Sequence, residues 1–163
     1  MTQDLFRDSA SRPEEEEELR NELCKIAAPF DHGASKALFQ QGEECRGVFL
    51  VHRGKVSLFV SLPNGLRLPF PGHQGWPLGL PATMTGKPYS LTAEVESSAE
   101  VTFAEKKDAL ELLCRRPELL WPATRMIADE LQQLRVVAAQ WTWLALSKQR
   151  DDTGDFRRRQ ASM

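Results

Sequence analysis

The sequence predicts a mostly β fold with flanking helices, and three observations support that prediction. Between residues 36 and about 103, short runs rich in β-branched and aromatic residues alternate with glycine and proline. The break Leu62-Pro63-Asn64-Gly65 contains Asn-Gly, the strongest short signal for a hairpin, because both positions tolerate positive φ. On either side of this region, apolar residues recur at helical spacing. Many short strands joined by turns are typical of a sandwich, a barrel or a roll.

Residues 14–28 are predicted to form a first helix that opens with acids. The run Glu14 to Glu18 suits the N-terminal end of a helix dipole, and Leu19, Leu23 and Ile26 follow at helical spacing. We interpret the acids as a solvated helix start rather than as an interaction tail. Residues 1–13 are polar and are expected to form a disordered leader.

Six strands and two further helices complete the predicted order of elements. The strands are Lys36–Gln40, Gly47–His52, Lys55–Ser61, Leu66–Phe70, Leu91–Val95 and Glu100–Phe103. A short helix around 109–113 should stop before Pro117, because the residue before a proline avoids the α region. A long helix is predicted over about 117–150, with Pro122 in its first turn or at a kink. The polar tail 151–163 is expected to be disordered.

Composition narrows the function classes. The 163 residues suit one domain, and 21 basic against 23 acidic side chains leave no basic excess for neutralising phosphates. Direct nucleic-acid binding is therefore not predicted. No apolar run reaches the length of a membrane span. Cys24, Cys45 and Cys114 are far apart and form no CxxC pair, which favours reduced thiols and a cytoplasmic location.

Six segments in order resemble the cyclic nucleotide-binding domain of the catabolite-activator and FNR-like regulators. They are Leu38–Glu43, Val48–Val56, Gly65, Gly75, Gly79 and Phe103–Pro117. The resemblance covers roughly residues 18–148. It implies a jelly-roll-like β-roll, or double-stranded β-helix, at about 33–104. It also implies that the long C-terminal helix at about 117–150 belongs to the same domain, which would span 14–150.

The resemblance also implies a phosphate-binding cassette. Its candidate ligand-binding residues are Gly79, Leu80, Pro81, Ala82, Tyr89, Ser90, Leu91 and Thr92. In the family, a glutamate after the last glycine accepts the ribose hydroxyl, and an arginine near the end of the cassette pairs with the cyclic phosphate. Here Leu80 and Tyr89 stand at those positions, and Pro81 lacks a backbone donor. Hydrogen bonds to charged groups contribute about 1.5–3 kcal/mol each, so we expect weak or no ordinary cyclic-nucleotide binding.

Two alternatives for the cassette stay open. Lys87, Ser90 and Thr92 offer polar groups that an atypical cAMP or cGMP site would use. The cassette region is also unusually apolar, which indicates either a pocket for a different small molecule or a space filled by the chain's own side chains. The apolar residues are Trp76, Pro77, Leu78, Leu80, Pro81, Met84 and Tyr89.

No catalytic residue, metal site or cofactor is predicted. The sequence has no G-x-S-x-G elbow and no Walker loop. His32, His52 and His73 lack the H-x-H spacing of a cupin metal site, so a cupin-like enzyme is kept only as a further alternative. Cys24 and Cys114 are interpreted as packing residues on apolar helix faces.

The long helix carries a predicted dimer interface. Leu131, Leu134, Ala138, Trp141 and Ala145 recur near heptad spacing. The resemblance implies that this helix pairs with its twin in a homodimer; the alternative is that it covers the β region of its own chain. A protein partner, including a full-length relative in a mixed dimer, is also considered. The predicted function is a non-enzymatic, dimeric regulatory or sensor domain with weak or no ordinary cyclic-nucleotide binding and no DNA-binding module.

One motif in the tail has a second interpretation. Arg157-Arg158-Arg159 followed by Ser162 resembles a site for a basophilic kinase. We interpret it as a solvated basic tail, because such matches arise often by chance.

Overall fold

A computed structural model describes residues 12–70 and 75–160, and within these it describes the side chains of 14–70 and 75–143. The chain divides into two units, Met1–Ala128 and Asp129–Met163, which are treated separately below. Among the described residues, no helix has the length and apolar character needed to cross a membrane.

The described residues of the first unit form seven strands and most of the helices. In chain order the elements are α1 (Arg12–Ile26), β1 (Ala28–Phe30), β2 (Ala37–Phe39), β3 (Gly47–Arg53), β4 (Val56–Ser61), β5 (Arg67–Phe70), α2 (Leu80–Thr85), β6 (Thr92–Val95), β7 (Glu100–Glu105), α3 (Lys106–Arg115), a 3₁₀ turn (Pro117–Leu119) and α4 (Leu120–Gln160). Helix α4 begins in the first unit and continues into the second.

The strands form two antiparallel sheets. One has the order β1-β7-β3 and the other β2-β6-β4-β5. Phe49 lies opposite Phe103 in the first sheet, and Leu58 lies opposite Ala93 in the second. This β-roll with a long C-terminal helix confirms the predicted fold class. All six predicted strands are present, and each end lies within two residues of its predicted position.

Two elements were not predicted as such. Residues Ala28–Phe30 form β1, which pairs with β7, so α1 ends at Ile26 rather than at residue 28. A three-residue strand that contains Pro29 has no alternating pattern of its own, and its pairing comes from tertiary contacts. Helix α2 is short and follows a glycine, so no helical period marks it in the sequence.

The termini of the outer helices also differ from the prediction. Helix α1 begins at Arg12, inside the expected leader, while residues 1–11 lie outside the described residues. Helix α4 has Pro122 in its first turn and continues to Gln160, ten residues past the predicted end. No proline follows Pro122, so nothing in the backbone forces the helix to stop at 150. The expectation of disorder is therefore corrected for 151–160, and 161–163 lie outside the described residues.

Two apolar clusters lie on opposite faces of β3. Because successive strand residues point to opposite faces, Phe49 and Val51 face the roll interior while Val48 and Leu50 face the helices. The roll cluster is rich in rings, with Phe49 at 4.6 Å from Phe103 between ring centroids. The helix-side cluster comprises Leu19, Leu23, Val48, Leu50, Leu80, Ala109, Leu113, Leu119, Ala123 and Met126.

Part of the acidic run on α1 is engaged in ion pairs. Glu15 and Glu16 lie 2.7 and 3.7 Å from the guanidinium of Arg125, whose side chain is only 15% exposed. Glu18 lies 2.8 Å from Arg116. The interpretation of the run as a simple solvated start is thus incomplete, because three of its five acids join α1 to the start of α4 and to the residue before the 3₁₀ turn.

Candidate ligand-binding site

The cassette opens at Gly79, where the backbone needs glycine for two reasons. Its φ of +86° lies in the left-handed region that residues with a Cβ rarely adopt. A Cβ at this position would also lie 2.7 Å from the Tyr89 ring and 2.9 Å from the Gly47 carbonyl oxygen. Helix α2 follows directly, with Pro81 in its first turn, where a missing N–H costs no helical hydrogen bond.

Tyr89 turns into the roll interior. Its side chain is 2% exposed, and its ring stacks on Phe39 with the centroids 4.0 Å apart. The phenolic hydroxyl donates to the Gly47 carbonyl at 2.9 Å and accepts from the amides of Arg46 and Gly47, each at 3.2 Å. Burial raises the pKa of Tyr89 to about 12, so this hydroxyl keeps its proton and stays a donor at neutral pH.

The backbone of Tyr89 is bound as firmly as its side chain. Its amide donates to the Glu43 carbonyl at 3.0 Å, and its carbonyl accepts from the Gly42 amide at 2.8 Å. The segment after α2 is therefore fastened to the loop before β3 by main-chain and side-chain bonds together.

The other candidate residues lie in different environments. Ala82 and Leu91 join Tyr89 in the roll cluster, whereas Leu80 lies in the helix-side cluster and does not face the roll interior. Thr92 is buried, and its hydroxyl accepts from the Gln41 amide at 3.0 Å. Ser90 is exposed and Pro81 is half-buried. The predicted residues thus share one segment of chain but differ in burial and in the cluster they join.

Two buried residues of this region were not predicted as site residues from the sequence. Cys45 is buried with its Sγ 3.4 Å from the hydroxyl of Thr83, which is fully buried on α2. Nothing in the spacing of Cys45 and Thr83, 38 residues apart, indicates that they meet. The interpretation of Cys114 as a packing residue is wrong, because its side chain is exposed one position beyond the buried Leu113.

The histidines take part in local contacts. One ring nitrogen of His32 lies 3.0 Å from the Ser35 carbonyl, and Nε2 of His52 lies 2.9 Å from the Thr102 hydroxyl. His73 lies outside the described residues. Within the described part of the chain, no group of three histidine, cysteine or acidic side chains has a metal-binding arrangement.

The predicted dimer stripe lies on the second unit, on α4. Leu131 and Leu134 are 49% and 42% exposed, Ala138 is exposed and Trp141 is half-buried. The side chain of Ala145 is outside the described residues. This face therefore presents apolar side chains to the surroundings of the single chain.

Comparison with known proteins identifies the family. The profile described as "Cyclic nucleotide-binding domain" matches residues 32–116, just over half of the chain. No match was found among curated proteins. Similar solved structures include the catabolite activator protein of Thermus thermophilus, with a TM-score of 0.63 and 22% identity, covering 85% of this chain and 62% of that one.

Two further structures have the same fold. The c-di-GMP responsive global regulator CLP of Xanthomonas campestris has a TM-score of 0.63 at 12% identity, covering 76% of this chain and 63% of that one. The sensor domain of the transcriptional regulator DNR of Pseudomonas aeruginosa has a TM-score of 0.56 at 18% identity, covering 77% of this chain and 85% of that one. The chain thus spans less than two thirds of the first two regulators. Because the family profile matches just over half of the chain and the fold is a β-roll, the chain belongs to the cyclic nucleotide-binding domain family.

Proposed function

We propose that this chain is a non-enzymatic regulatory domain that pairs through α4 and binds no cyclic nucleotide at micromolar concentration. The observation that carries the proposal is the buried side chain of Tyr89, which lies where the family resemblance implies an arginine for the cyclic phosphate. A phenol in that position offers no positive charge to a phosphate. Its hydroxyl is already bonded to Arg46 and Gly47.

The binding free energy of the missing contacts supports weak binding of cyclic nucleotides. The two missing contacts, to the ribose hydroxyl and to the phosphate, are worth about 3–6 kcal/mol together. That loss corresponds to about 10²- to 10⁴-fold in affinity, which moves a micromolar site to the millimolar range or beyond. The stacked Phe39 and Tyr89 rings also fill part of the roll interior.

Thermal unfolding in the presence of nucleotide tests this part of the proposal. At millimolar nucleotide, a micromolar site stabilises the fold by about 4 kcal/mol, whereas a millimolar site adds only about 0.4 kcal/mol. For a chain of this size these correspond to Tm increases of about 8–16 °C and about 1–2 °C. We expect cAMP and cGMP to match 5′-AMP, the control that carries no cyclic phosphate. A rise of many degrees with a cyclic nucleotide alone would support the alternative of an atypical nucleotide site.

The pairing through α4 rests on its exposed apolar face. Leu131, Leu134 and Ala138 follow one another at spacings of three and four residues, which places them on one side of the helix. Exposed large apolar side chains in such a row mark interaction sites, and a symmetric helix pair covers both copies at once. The proposal assigns no direct nucleic-acid contact to this chain, because its formal charge is −2.

A further inference from the structure

Three separate segments meet at the corner where β3 begins. The loop before β3 contributes Cys45 and Arg46, α2 contributes Thr83, and the segment after α2 contributes Tyr89. The Tyr89 hydroxyl is hydrogen-bonded to the main chain of Arg46 and Gly47, so one side chain bridges two segments far apart in the sequence. The corner is buried, since Cys45 and Tyr89 are 5% and 2% exposed.

A second buried contact fixes the middle of α2 to the same corner. Thr83 has no exposed surface, and its hydroxyl lies 3.4 Å from the Cys45 thiol. The start of α2 is fixed by steric fit as well, because Gly79 packs against both the Tyr89 ring and the Gly47 carbonyl. Helix α2 is thus held to β3 at its start, at its middle and through the segment that follows it.

These contacts matter because α2 has only six residues. A helix this short has no stability of its own and takes its shape from what it packs against. Its residues also connect the two apolar clusters, with Ala82 in the roll cluster and Leu80 in the helix-side cluster. The position of α2 therefore links the packing of the roll to that of the surrounding helices.

We propose that Tyr89 is an internal occupant of the cassette, whose phenol fixes α2 against β3 in one arrangement without any bound ligand. This inference rests on the proposed function in one respect, namely that the cassette binds no cyclic nucleotide at micromolar concentration. A domain that needs a ligand to order such a segment changes its structure when the ligand binds. In this protein, the group that orders the segment is a side chain of the chain itself. A regulatory signal would then have to arise from a partner rather than from nucleotide entering the roll.

Hydrogen exchange of the Tyr89→Phe variant tests the role of the hydroxyl. The variant keeps the ring and its stacking on Phe39 but removes the three bonds to Arg46 and Gly47. We expect the amides of residues 79–88 to exchange about two- to tenfold faster, with those of β7 unchanged. The matched control is Ser90→Ala, which alters the exposed neighbouring residue. Unchanged exchange at 79–88 in Tyr89→Phe would overturn the proposal.

Chemical rescue tests the ring and its hydroxyl together. Tyr89→Ala keeps the Cβ and loses the phenol group, so free phenol matches the missing atoms, while benzene has nearly the same shape but no hydroxyl. We expect phenol to raise the Tm of this variant and to slow exchange at 79–88, with benzene less effective and neither compound changing the wild-type protein. If both compounds had the same effect, or if neither had any, the proposal that the phenol group holds α2 in place would be contradicted. If Tyr89→Ala does not fold, the Tyr89→Phe measurement decides alone.

The two proposals fail in different ways. Saturable binding of cAMP to the wild-type protein at micromolar concentration would overturn the proposed function, whatever the exchange of the variants. Unchanged exchange at 79–88 in Tyr89→Phe would overturn the proposal that the Tyr89 hydroxyl fixes α2. That result would leave the proposed function untouched.

Discussion

At the residue scale, the packing of Gly79 against Tyr89 turns a family resemblance into a physical constraint. The sequence predicted that both belong to the cassette, because the glycines and the Pro88-Tyr89-Ser90-Leu91 segment stand in the expected order. It did not predict that the Tyr89 ring faces inward or that Leu80 faces the helices. Side-chain direction in an irregular segment depends on long-range contacts such as those to Arg46 and Gly47, which carry no local pattern.

Replacing Gly79 by alanine tests this constraint. Both Gly79 and Gly65 have φ in the left-handed region, at +86° and +82°, but a Cβ on Gly65 meets nothing within 4 Å. Gly65→Ala should therefore lower the free energy of unfolding only by the conformational cost, about 1–2 kcal/mol. Gly79→Ala also overlaps Tyr89 and Gly47, which adds about 1–3 kcal/mol. Equal losses in urea unfolding of the two variants would contradict the close packing.

Acidic pH should weaken the ion pairs around Arg116. The guanidinium hydrogen bond from Arg116 lowers the pKa of Glu118. The hydrogen bond and the charge of Lys25, and after them the charge of Arg116, lower the pKa of Glu22. Carboxyls with a lowered folded-state pKa stabilise the protein fully above their ordinary pKa of 4.5, and this contribution is lost as the pH falls through the folded value.

The free energy of unfolding should therefore decrease below about pH 4.5, and less steeply in Glu118→Gln and in Arg116→Met. Urea unfolding between neutral pH and the acid limit of the fold measures the slopes. Identical slopes in the wild type and both variants would show that these pairs do not couple to folding.

At the scale of elements, the sequence was most informative where a pattern repeats within the element itself. The β-branched and aromatic runs of β3 and β4 and the apolar spacing of α1 identify those elements directly. Strand β1 was missed because its three residues gain their pairing from β7, and the end of α4 was misplaced because polarity was taken for disorder. Polar residues such as Lys, Arg and Gln are compatible with a helix, so a polar composition alone does not end one.

Helix α4 offers a direct test of pairing. Leu134 is 42% exposed on the predicted stripe, whereas Gln140 is exposed on another side of the same helix. Burying a leucine is worth about 1.5–3 kcal/mol, and a symmetric dimer buries it twice. Leu134→Glu should therefore weaken the dimer by at least about 10²-fold, while Gln140→Glu leaves it unchanged. Sedimentation velocity over a concentration series measures both, and equal behaviour of the two variants would argue against this interface.

At the scale of the whole molecule, the chain combines a β-roll whose interior is packed with its own rings and a long helix with an exposed apolar face. The first feature belongs to the unit Met1–Ala128 and the second to Asp129–Met163. Family membership accounts for the fold of the first unit, since the matched region ends at residue 116. The regulatory role proposed for the chain requires both features: a roll that needs no nucleotide and a helix that pairs.

Sedimentation equilibrium of the purified chain, with and without millimolar cAMP, tests that combination most directly. We expect a mass twice the 18.4 kDa of one chain in both conditions, with the same dissociation constant. A mass of one chain without nucleotide, or a dimer that forms only when cAMP is added, would contradict it.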